Sequence, residues 1–157
     1  MDRRSYTNSR QGNYNGTNHR NVEEIKKIDM PLSEFYKNKA DIFLPDRKAH
    51  EVAKKIGDIP PHQLRKILNQ VKESMAEFDK KGDRGIEAAK NKLFALLPIA
   101  AYNAGRDPKL KSLYRFLVEH INEKSIVTFE DIKLFDELIT SIVAYHKYEV
   151  NKNKGGR

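Results

Sequence analysis

The sequence predicts an all-α fold, a compact bundle of about five main helices carrying a disordered basic N-terminal arm. Three observations predict it. Apolar residues recur at three- and four-residue steps, as in Leu64, Ile67, Leu68, Val71, Met75 and Phe78. No long window alternates apolar with polar residues in the manner of a strand. Only six prolines and eight glycines interrupt the chain, and its 157 residues suffice for one domain with a real core.

Residues 1–28 are rich in Asn, Arg, Ser, Gly and Tyr and show no helical period, which marks a disordered arm. Arg3, Arg4, Tyr6, Arg10, Tyr14 and Arg20 interleave cations with rings there. Such a segment either tracks a single strand or is a bare flexible tail. The bundle is expected over 29–150. Leu32, Phe35 and Tyr36 suggest a short helix or turn packed on it. The first main helix starts near Pro45-Asp46, ends at Gly57 and turns Ala49, Val52, Ala53 and Ile56 inward. On its outside, Arg47 aligns with Lys54 and Lys48 with Lys55, two turns apart.

The second main helix opens at Pro60-Pro61. At about 100° per residue Arg65 and Lys72 share one flank of its apolar stripe, and Lys66 faces nearly the opposite way. Asp79 to Gly85 reads as a loop. The third runs from about Ile86 to Tyr102 and is kinked or broken by Pro98, which lacks a backbone donor. The Tyr102 ring is expected to pack and its hydroxyl to be bonded, with stacking on a base as the other reading. The fourth runs from Pro108 to about Asn122. The fifth starts behind Thr128, whose capping box uses Asp131, and continues to about Tyr148. Residues 151–157 have nothing to pack and read as a disordered basic tail.

The formal charge of +8 is concentrated at the ends, with +3 in residues 1–20, +3 from Asn151 onward and +2 over the rest. Nucleic acid would therefore meet the core through patches rather than a uniformly basic surface. Asp46 to Lys72 is one such patch, at +4, and Phe116 to Glu137 is acidic, with two lysines against six acids. Cysteine is absent, which rules out disulfides, thiolate metal sites and a Cys nucleophile. No apolar run is long enough to span a bilayer, so a cytoplasmic protein without membrane contact is expected. The sequence contains no phosphate-cradling glycine loop and no HExxH, and His19, His50, His62, His120 and His146 are scattered. No catalytic residue, cofactor or metal ligand is expected.

The segment Leu96 to Leu117, LLPIAAYNAGRDPKLKSLYRFL, carries the most pointed chemistry. Gly105 is expected to end one helix in the left-handed conformation, and Asp107-Pro108 to start the next. Arg106, Lys109, Lys111 and Arg115 surround this corner, where unpaired backbone N–H groups at a helix N-terminus would add to the positive field. Lys111 and Arg115 repel each other at four residues' spacing unless an anion, or Glu119 beside Arg115, offsets them.

LLPIAAYNAGR, LKSLYRFL, FEDIKLFDELITSIVAYHKY and the earlier HQLRKILNQV, in this order, resemble the small helical subunit of the type III-A (Csm) CRISPR effector complex. The likeness runs from roughly Pro45 to Tyr148. Two positions depart from the family pattern: Pro61-His62 replaces a Thr/Ser pair, and Ile99 stands where a basic residue is common. The resemblance implies a non-catalytic subunit, present in several copies beside the guide-binding filament and meeting guide RNA, target RNA and other subunits in antiviral defence. Cleavage and cyclase activities in that family belong to other subunits. The residues expected at RNA phosphates are Arg65, Lys72, Arg106, Lys109, Lys111 and Arg115, with Arg47, Lys48, Lys54 and Lys55 as a second stripe. Two other readings use the same helices: a purely structural assembly subunit with little RNA contact, and a DNA-binding regulator reading through the Pro60 to Val71 helix.

Overall fold

The computed structural model describes residues 24–155, and these contain helices and turns but no strand. Two single-turn helices, α1 (Leu32–Phe35) and α2 (Ala40–Phe43), precede α3 (Lys48–Ile56) and α4 (Pro61–Lys81). A 3-10 turn, Gly82–Gly85, leads into α5 (Ile86–Phe94) and α6 (Leu96–Arg106). A second 3-10 turn, Pro108–Leu110, runs into α7 (Lys111–His120), and α8 (Phe129–Lys154) closes the bundle. The five expected main helices correspond to α3, α4, the α5–α6 pair, α7 and α8.

The central element is α8, which packs against α1, α2, α3 and α4. Its buried residues include Ile132, Leu134, Phe135, Leu138, Ile139 and Ile142. More than one face is buried because helices lie on several sides. Full burial of each such side chain contributes about 1.5–3 kcal/mol. The capping box forms as expected: the Thr128 N–H donates to Asp131 Oδ2 at 2.9 Å. The same carboxylate accepts the N–H groups of Val127 at 3.0 Å and Ser33 at 2.9 Å, so it also fastens α1 to the head of α8. Asp131 is fully buried. Burial works to raise its pKa, but the hydrogen bonds from Ser33, Thr128 and Val127 outweigh it and hold the carboxyl below its ordinary value.

Two boundaries differ from the sequence reading, and a third feature, the break before Pro98, falls as expected. The α4 helix continues through Lys81, and only Gly82, at φ 59°, stops it; the expected loop is a tight turn. There Gly85 passes so close to α4 that a Cβ would stand 2.6 Å from the Glu77 carbonyl oxygen. The expected Ile86 to Tyr102 helix is split at Ala95, because Pro98 has no N–H to offer the Phe94 carbonyl. The end of α8 is Lys154 rather than Tyr148, with Asn151–Lys154 exposed.

The arm expected over residues 1–28 lies outside the described residues except for 24–28. Its end is tied down: the Ile28 N–H donates to the Glu119 carbonyl at 2.9 Å, and Asn122 Nδ2 donates to the Ile28 carbonyl at 3.0 Å. Nearby, buried His120 donates from Nδ1 to the Phe116 carbonyl and accepts the Tyr36 hydroxyl at Nε2, 2.6 Å away. Burial pushes the His120 pKa down to about 4 and that of the Tyr36 phenol up. His146 is also a packing group, 2.8 Å through Nε2 from the Gly57 carbonyl oxygen.

Candidate nucleic-acid interface

The α6–α7 corner is built differently from its expected form. Gly105 is helical rather than left-handed, α6 continues to Arg106, and extended Asp107 (φ −128°, ψ 106°) stops it. Asp107 Oδ1 then accepts the Lys109 N–H at 3.0 Å, and its carbonyl accepts the Leu110 N–H at 3.0 Å. The Lys111 N–H bonds the Pro108 carbonyl, and Pro108 has no N–H. The backbone donors expected to be unpaired are therefore occupied by the corner's own turn. What the corner presents outward is side-chain charge.

Arg106, Lys109 and Lys111 are exposed around this turn and have no acidic partner among the described residues. Arg115, one turn beyond Lys111, is half-buried, with Nε 3.4 Å from Glu119 Oε1. The Arg106 guanidinium lies over the Tyr102 ring, 5.6 Å from its centroid. The expectation that Tyr102 packs and bonds its hydroxyl is not met. Its side chain faces outward, because Leu96 and Ala104 mark the inner side of α6 and Tyr102 falls on the other.

The two α4 cations lie apart from this corner. Lys72 projects toward α8 and straddles the nearly buried Asp136 carboxylate, with Nζ 2.7 Å from Oδ1 and 2.8 Å from Oδ2. Oδ2 receives the aligned hydrogen bond, and Oδ1, shut off from water, keeps only the charge contact. Arg65, two turns earlier on the same flank, is exposed and without an acidic partner among the described residues. The opposite flank of α4 supplies Gln63, Lys66 and Ile67 to a cleft of about 50 Å³ shared with α6 and α7. Lys66 is thus the α4 cation that reaches the α6–α7 wall. Helical angle alone separates it from Arg65, but which flank meets α6 is a packing fact.

The second stripe also divides. Arg47, Lys48 and Lys55 line a surface depression of about 810 Å³ together with Lys26 and Lys27. Its acids, including Asp41, Asp46 and Glu51, balance them. Arg47 pairs with Asp41 at 2.9 Å, and Lys48 lies 3.8 Å from the same carboxylate and over the Phe35 ring. Lys54 points into a separate depression beside His50, where it meets Asp46 at 3.1 Å and Glu51 at 3.4 Å. Among the described residues no group of His, Cys, Asp or Glu is arranged to hold a metal ion. No helix there is long and apolar enough to cross a membrane.

The described residues thus form an all-helical bundle with a cationic corner between α6 and α7. A family model described as Csm2 Type III-A matches residues 38–152, from the loop before α2 almost to the end of α8. The chain belongs to this Csm2 family, the small subunits of type III-A CRISPR complexes. The match includes every cation considered above from Arg47 to Arg115, though not Lys26 and Lys27. No curated protein and no solved structure matches the chain.

Proposed function

We propose that this small subunit is a non-catalytic RNA-binding component that lies along the guide–target RNA duplex and contacts phosphates in cytoplasmic antiviral defence. The observation that carries the reading is the α6–α7 corner, where Arg106, Lys109 and Lys111 stand exposed on one short segment without acidic partners among the described residues. Lys66 carries the positive surface onto α4, whereas exposed Arg65 stands on the other flank of that helix, away from the corner. Lys72 and Arg115 contribute less, since Asp136 and Glu119 already engage them. Backbone contact suffices, because guide pairing supplies sequence selection. The DNA-regulator reading lacks its geometry: α3 and α4 pack against α8 rather than forming a helix-turn-helix pair.

The test is a gel shift on a guide–target RNA duplex over a salt series, comparing wild type with the triple variant Arg106→Glu, Lys109→Glu, Lys111→Glu. Affinity is expected to fall, and the plot of log K against log salt to flatten by about 0.7–0.9 for each phosphate that is no longer neutralised. Circular dichroism should show intact helicity, since all three side chains are exposed. Unchanged affinity and slope refute the assignment. Exposed Phe43 and Leu44 favour a second reading, a purely structural assembly subunit. It expects the charge reversals to be silent and Phe43→Ser with Leu44→Ser to impair complex assembly.

A further inference from the structure

The α6 helix carries an exposed stripe that phosphate contact leaves unexplained. Ile99 is 57% exposed and Tyr102 64% exposed. With Arg106 they recur at three- and four-residue steps, so they share one face. The Tyr102 hydroxyl has no hydrogen-bond partner among the described residues, so neither burial nor bonding accounts for the ring. The ring is nevertheless oriented, because the Arg106 guanidinium covers part of it at 5.6 Å and α6 is held beneath by Leu96 and Ala104. Lys66 and Asn103 line the adjoining cleft, and Lys109 and Lys111 follow Arg106 around the corner. An oriented ring with open surface, in a cationic field, suits a flat aromatic ligand attached to negative charge.

We propose that Tyr102 is a stacking platform for an unpaired nucleobase of bound RNA, with Arg106 positioned to reach the phosphate next to that base. This rests on the RNA-binding reading above and extends it from phosphate contact to base contact. Stacking needs only a π-face, so the platform accepts any base and leaves sequence selection to pairing.

The full chain is titrated with a single-stranded RNA oligomer carrying 2-aminopurine, as wild type, Tyr102→Ala and Tyr102→Phe, at several salt concentrations. Tyr102→Ala should weaken binding about 5- to 150-fold, the range a single base–aromatic contact spans. It should also abolish the 2-aminopurine quenching and leave the salt slope unchanged. Tyr102→Phe should bind within about twofold of wild type, because the hydroxyl takes no part. Equal affinity in wild type and Tyr102→Ala overturns the proposal, as does an equal loss in both variants. Circular dichroism excludes unfolding as the cause. If the Arg106, Lys109, Lys111 reversal acts while Tyr102→Ala is silent, the stacking proposal alone fails. If the reversal is silent, the RNA interface fails irrespective of Tyr102, and no measurable binding by wild type sinks both.

Discussion

Replacing Lys72 by Ala distinguishes a structural ion pair from a phosphate contact. The Asp136 side chain is only 12% exposed, and the Lys72 ammonium is the cation that compensates it. Without it a charged acceptor remains in a site that water reaches poorly, which costs about 1–3 kcal/mol. The Lys72 side chain is itself 56% exposed, so water can partly fill the vacated place, and about 2 kcal/mol is the expected loss. For a chain of this size that lowers Tm by about 4–8 °C. Asp136→Asn should cost less, about 1 kcal/mol, because the lysine freed by it can turn to solvent. In the double variant the two losses should not add, leaving a coupling of about 1 kcal/mol. Urea unfolding of the four proteins supplies the cycle, and RNA titration of Lys72→Ala supplies the contrast. A Tm within about 1 °C of wild type, or strictly additive losses, refutes the pairing argument. An unchanged Tm with weakened, less salt-dependent RNA binding assigns Lys72 to phosphate instead.

Two further outcomes follow from buried groups. The His120 pKa is depressed in the folded chain to about 4 from an ordinary 6.5, so the unfolded chain takes up the proton first as pH falls. Its contribution to stability is complete above about pH 6.5 and is lost progressively toward pH 4, by about 3 kcal/mol in total. Urea midpoints should therefore drop between pH 7.5 and 5, and His120→Gln should flatten that dependence; parallel pH profiles would contradict it. Asp131→Asn replaces one of two oxygens that together accept three backbone N–H groups, and should cost about 2 kcal/mol while speeding hydrogen exchange at the Ser33 amide. Slow exchange at Ser33 in a variant of unchanged Tm would show that the clamp is dispensable.

What the sequence reveals is mainly local. The Thr128–Asp131 box is legible because its partners lie three residues apart, and the break before Pro98 follows from one missing donor. The same Asp131 carboxylate also holds Ser33, 98 residues away, and no local pattern points to that. Helical angle places Lys72 correctly on a flank of α4. That this flank faces α8, with Asp136 waiting 64 residues along, depends on how the helices dock. Gly105 shows the converse error: a glycine before Asp-Pro reads as a left-handed stop, yet Asp107 ends the helix through its own extended backbone. Tyr102 reads as a core ring because its neighbours are apolar, but α6 needs only one side for its contacts.

The arrangement around α8 bears on the order in which the chain matures during translation. α4 and α5 join through a tight turn and form a local pair as soon as both have left the ribosome. α1, α2 and α3 each dock on α8, which is synthesised after every other described helix. Until it emerges, the faces by which these three helices meet α8 stay uncovered and are open to chaperones or to premature association. Truncation within α8 should thus leave the nascent amino-terminal half unassembled, however well the α4–α5 pair has formed.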